Sequence, residues 1–400
     1  LSILQYDPRN PLLFSSGAFL FIFLAFMLGY WGFRKQLSAR LLFVTLFSYY
    51  FFYKSSGIYF LLLVIITISD FYIARRIAQS EKKKTWLVLS LFIDLGMLAY
   101  FKYTNFFEGM VSQMIGNNFQ PWDIFLPVGI SFYTFKTISY TVDVYRDKMK
   151  PLESLLDYAF YVSFFPTLLA GPITRANDFV PQIRKPLHLS NEMFAQGVFL
   201  IVIGLLKKAV ISDYLSANFV DRIFDNPSLF SGGEVLLGLY GYCFQIYCDF
   251  SGYSDIAIGI AMLLGFTIPQ NFNAPLQADS MTDFWRRWHI SLSTWIRDYV
   301  YIALGGNRYG KWRMYLNQMI AMTACGLWHG ASLNFIVWGV LHGLFVCVHK
   351  FWSQTILHHD KRYHPAGIKR FFSVFITFHI ITFSWLLFRC RDFQAVGIMV

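Results

Sequence analysis

A succession of apolar stretches, each long enough to span or nearly span a bilayer, runs through almost the whole of this 400-residue chain. They cover residues 12–33, 41–53, 58–74, 86–101, 124–140, 158–170, 193–211, 235–266, 314–348 and 371–388. A helix needs about 17–25 residues to cross the hydrocarbon core. Lipid offers the backbone no hydrogen-bond partners, so segments of this kind must satisfy their own amides as helices. The two longest stretches hold either two crossings or one long tilted helix. The expected fold is therefore an all-α integral membrane domain over residues 1–400, with about ten or eleven segments, some tilted or re-entrant.

Composition agrees. The chain is 56% hydrophobic and 14% charged, whereas a soluble domain carries about 25% charge. Aromatics make up 20%, with 44 Phe for lipid contact and 24 Tyr and 11 Trp suited to the interfaces. The net charge of +11 sits in short clusters between apolar stretches, such as Arg34-Lys35, Arg75-Arg76 and Lys82-Lys83-Lys84. That pattern fits cytoplasmic anchoring and excludes a nucleic-acid face. Five cysteines without a CxxC pair, Cys243, Cys248, Cys325, Cys347 and Cys390, read as small hydrophobes rather than zinc ligands or disulfides. The first residue is Leu1, the last is Val400, and both ends read as trimmed, with no cleavable signal peptide.

Up to residue 150 the basic loops 34–40, 75–85 and 146–150 fall at alternate junctions, which places the N-terminus outside and these loops in the cytoplasm. The alternation then fails. Arg175, Arg184 and Lys185 follow a segment that should exit, and Lys207-Lys208 interrupts an apolar stretch. Charge at membrane depth implies a re-entrant segment or a protein-lined cavity. The two prolines and glycine of 164–173 argue against a straight helix there. The most polar stretch near the C-terminus is the loop 352–370, with His358-His359-Asp360-Lys361-Arg362.

Four motifs offer chemistry. Read as one helix, 284–299 places Trp285, Trp288, Leu292, Trp295, Ile296 and Tyr299 on an apolar arc and Arg286, His289, Ser293 and Arg297 on a narrow polar stripe. It is either a plain interfacial helix or a site where Arg286, Arg287 and Arg297 hold the phosphates of an anionic ligand. The turn Leu304-Gly305-Gly306-Asn307-Arg308 follows it. Within the apolar 314–348 stretch, His329 lies between Gly326 and Gly330. An intramembrane imidazole is costly unless it faces a polar cavity, and it suits a general base near neutral pH. His342 and His379 are rivals on the same grounds, His342 on about the opposite side of a straight helix. Finally, 248–255 holds Asp249, Ser251, Ser254 and Asp255, either helix-packing polar groups or a serine nucleophile, although no G-x-S-x-G elbow is present.

Taken together, 126–135, 164–175, 247–255, 272–308 and 327–330 resemble the membrane-bound O-acyltransferase family, and most closely its bacterial alginate O-acetyltransferase-like branch. The pairing of 283–308 with Trp328-His329-Gly330 is the specific part. The resemblance, which runs loosely from about residue 40 to 390, implies a ring of tilted helices around a funnel in the bacterial inner membrane, with the two mouths meeting at His329 and His289 as a second polar position. It also implies acetyl-CoA as acyl donor, a cell-surface polysaccharide such as an alginate-like exopolysaccharide or peptidoglycan as acceptor, and a periplasmic acetyltransferase-like partner protein. Family members usually continue for another helix or two. On this reading Arg286, Arg287, Arg297, Asn307 and Arg308 are the donor-binding set, His329 is the general base, and His289 or Asn307 donates to the oxyanion. No metal is expected. A transporter or flippase for an anionic or lipid-linked substrate is the alternative from another class, disfavoured by the absence of paired half-repeats. The same fold using another acyl donor is the closer alternative.

Overall fold

A computed structural model describes residues 5–358, 360 and 363–400. Among the described residues the chain is helical and has no strand. Five helical runs are long and apolar enough to cross a membrane: Leu37–Gln79, Lys83–Ile115, Asn191–Asp225, Leu333–Ile356 and Gly367–Arg389. The all-α membrane fold read from the sequence is thus found, with differences in how the stretches are cut. In the polar loop at 352–370, His359, Lys361 and Arg362 lie outside the described residues.

Contacts divide the chain into two compact units. The first comprises residues 1–205 and 253–269, the second residues 206–252 and 270–400. The first unit holds α1 (Gly17–Gly32), α2 (Leu37–Ser56), α3 (Phe60–Gln79), α4 (Lys83–Ile115), α5 (Ile130–Tyr145), α6 (Leu155–Ser163), α7 (Ala176–Ile183) and α8 (Asn191–Leu205). Helix α4 runs fourteen residues past the apolar stretch that predicts it, through sequence expected to be loop. No proline or glycine pair stops it until Gly116, whose left-handed backbone (φ 72°) ends the helix.

The expected break near Pro166 is present. α6 stops at Ser163, a 3₁₀ turn covers Phe165–Thr167, and helix resumes only at Ala176. A helix broken among buried residues leaves amides and carbonyls to satisfy. The Phe165 amide donates to Ser48 Oγ at 3.2 Å. Lys136, fully buried, donates to Thr167 Oγ1 at 2.7 Å and to the Val162 carbonyl at 3.3 Å. Its amine thus supplies donors to carbonyls that the end of α6 leaves open. The Phe165 ring then packs edge-on to Phe26, Phe47 and Phe51 at 5.4, 5.0 and 5.8 Å between centroids. Arg184, one of the charges that breaks the loop pattern, pairs with Asp157 of α6 at 2.6 Å. Replacing Lys136 with Met is expected to destabilise the protein by about 1–3 kcal/mol for the polar groups left unsatisfied. Thermal unfolding in detergent checks this, and an unchanged midpoint would remove Lys136 as the group that closes the break.

The second unit begins inside the run Asn191–Asp225, where helical and π turns alternate through α9 (Asp213–Leu215) and α10 (Asp221–Asp225). Lys208 there is neutralised by Asp213 at 2.8 Å and by Asp249 at 2.6 Å, and Lys207 lies over the Tyr247 ring. Asp249 belongs to α11 (Gly232–Leu263), so the 235–266 stretch is one long helix rather than two crossings. The 314–348 stretch is instead two helices, α14 (Gly310–His329) and α15 (Leu333–Phe351), followed by α16 (Gly367–Arg389) and α17 (Phe393–Met399). Between α11 and α14 lie the short helices α12 (Met281–Arg287) and α13 (Ile290–Ile296) and a π turn at Arg297–Tyr301.

Candidate active site

The expected unbroken helix over 284–299 is broken at His289. Ser280 caps α12 by accepting from the Asp283 amide at 3.2 Å, and Arg287 closes the helix by pairing with Asp283 one turn back at 2.7 Å. His289 then takes a left-handed conformation, φ 43° and ψ 54°, and α13 starts afresh. Such a backbone costs a non-glycine residue about 1–3 kcal/mol and persists only where its surroundings enforce it. Here the segment 271–273 enforces it. The Asn273 amide donates to the Arg287 carbonyl and the Ile290 amide to the Asn271 carbonyl, both at 2.9 Å. No residue type within 284–299 forbids a continuous helix; the break comes from this strap, 18 residues upstream of His289.

The strap also fixes the imidazole. Asn271 Oδ1 lies 3.1 Å from His289 Nδ1, 3.2 Å from the Ser291 amide and 2.9 Å from Ser291 Oγ. An amide N–H can only donate, so the Asn271 atom it meets is the oxygen, and His289 Nδ1 must carry a proton to bond it. The other ring nitrogen, Nε2, is then a bare lone pair when the ring is neutral. Nε2 is buried and has no hydrogen-bond partner among the described residues. Burial pushes the His289 imidazole down to about 3, so the ring is neutral at physiological pH. A neutral His289 in this tautomer has no proton at Nε2 to give to an oxyanion, which does not suit the donor role expected of it.

His329 is the last residue of α14 and is half-buried. Trp328 lies between the two imidazoles, with ring centroids 5.9 Å from His289 and 4.7 Å from His329. Trp338 and Phe388 meet the His329 ring edge-on at 5.1 and 5.0 Å. Phe250 of α11 meets His289 at 4.6 Å. The two histidines singled out in the sequence are therefore neighbours across one indole, in an aromatic surround. The rivals have other duties. His342 sits on α15, not on a continuation of α14 as a straight helix would have it. Its Nε2 donates to Ser384 Oγ at 2.9 Å, because that hydroxyl's own proton goes to the Ile381 carbonyl. His379 bonds the Phe375 carbonyl through Nδ1 and Tyr240 Oη through Nε2, both at 2.8 Å.

A cavity of about 220 Å³ opens between α12, α13, α14 and α15. Its polar lining includes Arg286, Arg297, Lys350 and Gln318, and Cys325 is on its wall. Arg286 is exposed and forms no ion pair among the described residues. Arg297 bonds Asp298 at 2.7 Å, and Lys350 donates to Gln318 at 3.0 Å. On α14 the lining positions are 318, 321, 322 and 325. The next position on that face is 329, one turn beyond Cys325. The cationic cavity and His329 thus share a single stripe of α14, about 16 Å long from Gln318 to His329 at 1.5 Å per residue.

Of the expected donor-binding set, Arg286 and Arg297 line this cavity. Arg287 does not; it is held by Asp283 and the Asn273 carbonyl. Asn307 and Arg308 are exposed on the turn after the π segment, where Arg308 Nε donates to the Gly305 carbonyl at 3.2 Å. Asn317 donates to the Gly306 carbonyl at 2.9 Å and anchors that turn to α14. In 248–255, Asp249 pairs with Lys208, which fits helix-packing polar groups at that position, and Phe250 packs on His289. Asp279, Asp283 and His364 bring ligand-type atoms within 4.8 Å of one another. Asp283 is engaged by an ion pair with Arg287 and Asp279 by a hydrogen bond with His364 Nδ1, each at 2.7 Å, so the cluster is accounted for by these contacts.

Asn271, Lys350 and Gln318 were not legible as site residues. Lys350 and Gln318 are 32 positions apart and meet only because α14 and α15 form a hairpin. The one local sign for Asn271 was its position in a polar, proline-containing segment, 270–275, just upstream of the Arg-Trp-His stretch.

The sequence profile described as MBOAT, membrane-bound O-acyltransferase family, matches residues 10–388. A probable alginate O-acetylase, AlgI, of Pseudomonas aeruginosa is 39% identical over 96% of this chain and 73% of its own length. A peptidoglycan O-acetyltransferase of Helicobacter pylori is 35% identical over 96% of this chain and 78% of its own. A teichoic acid D-alanyltransferase of Bacillus subtilis is 29% identical over 68% and 71%. With the helical fold and the paired histidines, these matches make the chain a membrane enzyme belonging to the membrane-bound O-acyltransferase family.

Proposed function

We propose that this protein transfers an acetyl group from cytoplasmic acetyl-CoA to a hydroxyl of a cell-surface polysaccharide, directly or through an extracytoplasmic partner protein, from a bacterial inner membrane. The observation that carries the reading is the single stripe of α14 that joins a cavity bearing Arg286, Arg297 and Lys350 to His329. A phosphate-bearing thioester matches that layout, with its anionic end among the cations and its reactive end toward the imidazole. Lys311 and Arg313 at the start of α14, Lys350 at the end of α15, and Lys369 and Arg370 at the start of α16 support a cytoplasmic location for the cationic end. The names of the relatives support acetyl as the group and a surface polymer as the acceptor.

In this mechanism His329 and His289 are the catalytic imidazoles. His329 takes the proton of the acceptor hydroxyl as its oxygen attacks the thioester carbonyl. The C–S bond breaks, and the thiolate leaves with the proton that His329 has accepted. The aromatic surround limits water, which would otherwise hydrolyse the thioester.

The test is transfer of radiolabelled acetyl from acetyl-CoA by the purified protein to glycan or partner. Absence of both transfer and acetyl-CoA binding in folded protein would overturn the choice of donor. Replacing Arg286, Arg297 and Lys350 together by Gln is expected to raise KM for acetyl-CoA on the order of 10- to 100-fold, as loss of charge-assisted hydrogen bonds to phosphate implies. Arg287→Gln should leave KM in place and act on stability through Asp283. Equal effects of the two changes on KM would separate the cavity from donor binding.

A further inference from the structure

None of Asn271, His289 and Ser291 lines the donor cavity, and the mechanism above names His289 without giving Asn271 or Ser291 a role. Its geometry is over-determined. Three donors converge on one side-chain oxygen, and two backbone hydrogen bonds hold the segment that carries it. The strained backbone at His289 is the conformation this strap secures. The product of all this bonding is one buried lone pair, at Nε2 of His289, with nothing to bond it among the described residues. A buried acceptor left open costs free energy that a structural histidine would avoid. His379 shows the contrast, since both of its ring nitrogens are bonded; His342 also leaves one ring nitrogen buried and open, but without a strained backbone or a strap that orients the ring.

We propose that Asn271 is a positioning residue that locks His289 as a hydrogen-bond acceptor, and that its Nε2 receives an N–H or O–H hydrogen from a bound substrate. This rests on the acyltransferase reading and adds a defined role for the second imidazole. Two sources offer such a hydrogen. One is an amide N–H of the pantetheine arm of the donor; the other is a hydroxyl of the acceptor. The logic is that of a histidine oriented by a third group through its far nitrogen. Asparagine rather than aspartate leaves the ring without a counter-charge. The rings that meet His289 are Phe250 and Trp328, burial alone acts on its protonation, and no charged side chain faces it among the described residues.

The experiment compares Asn271→Ala, Asn271→Asp and Ser291→Ala in the full chain, with radiolabelled acetyl-CoA as probe and thermal unfolding as the control for folding. Asn271→Ala should lose about 10- to 100-fold in kcat/KM, the worth of one hydrogen bond to the reacting complex that is no longer aligned. Ser291→Ala, which keeps the Asn271–His289 bond, should stay near the native rate. Asn271→Asp should restore activity near neutral pH. It should also introduce an acid limb, because a carboxylate at Nδ1–H raises the His289 pKa by about one to three units from a low starting value. Activity should then fall as the pH drops through that raised pKa, where Nε2 becomes protonated and ceases to accept. A loss confined to KM for acetyl-CoA places the hydrogen on the donor; a loss in kcat that depends on the acceptor hydroxyl places it there.

Two results overturn the inference while leaving the acyltransferase reading intact: a native-like rate for folded Asn271→Ala, or an Asn271→Asp pH profile that gains no acid limb over the native one. If the native protein itself transfers no acetyl and binds no acetyl-CoA, it is the acyltransferase reading that fails.

Discussion

Purified His329→Ala protein is expected to insert, fold and bind acetyl-CoA, yet to transfer acetyl about 10²–10⁴ times more slowly than the native protein, the usual worth of a general base. The proposed donor site should survive because Arg286, Arg297 and Lys350 belong to other elements of the cavity wall, Lys350 bonding Gln318, eleven residues before His329 on α14, and His329 is not part of that wall. Folding should survive because His329 is half-buried at a helix end and meets its neighbours through ring contacts with Trp338 and Phe388. His329→Gln, which keeps more of the volume, separates packing from chemistry. Both variants should lose turnover and neither should lose acetyl-CoA binding. Turnover within a few fold of native in His329→Ala would end the assignment of the base to His329.

The second large effect concerns the hairpin that presents His329. Gly326 on α14 faces Gly339 on α15, where Gly339 and Gly343 form a small-x-x-x-small pair, the spacing that lets helices approach backbone to backbone. A Cβ added at Gly326 would press on the Phe335 carbonyl oxygen and lie 2.9 Å from the Gly339 Cα. A Cβ added at Gly339 would lie 2.5 Å from the Met322 carbonyl oxygen. These neighbours are backbone, which cannot turn aside as a side-chain tip can. Gly326→Val and Gly339→Val should therefore force the helices apart, at a cost of about 3 kcal/mol or more. They should lower both the yield of folded protein and its unfolding temperature. Gly96→Ala is the control, since nothing lies within 4 Å of the added methyl group. It should be neutral or mildly stabilising through helix propensity. A normal unfolding temperature in Gly326→Val would mean that the hairpin is not held by this contact.

Much of this was legible without coordinates. Bilayer-length apolar stretches show which parts are helical, since the constraint acts on each segment alone. The prolines after Phe164 predicted a break, and the break is there. His329 stood out because an imidazole in an apolar stretch needs a reason, and its glycine neighbours hinted at close packing. Errors fell where the outcome depends on remote partners. Helix α4 ran on because nothing local stopped it. The helix over 284–299 broke although nothing local required it, because Asn271 and Asn273 supply a better set of bonds than the unbroken helix would.

Periodicity is a property of neighbours along the chain, so the sequence by itself determined the class of fold, the helical segments and the residue types available for chemistry. It could not determine which ring nitrogen of His289 carries the proton, that Arg286 and Arg297 share a cavity with Lys350 while Arg287 does not, or that Trp328 sits between the two histidines. Each of these depends on a partner that is distant in sequence or on the direction in which a side chain points. Such partners meet only when the packed fold sets their distances and excludes water from between them, and at that point a stripe of polar residues becomes a site.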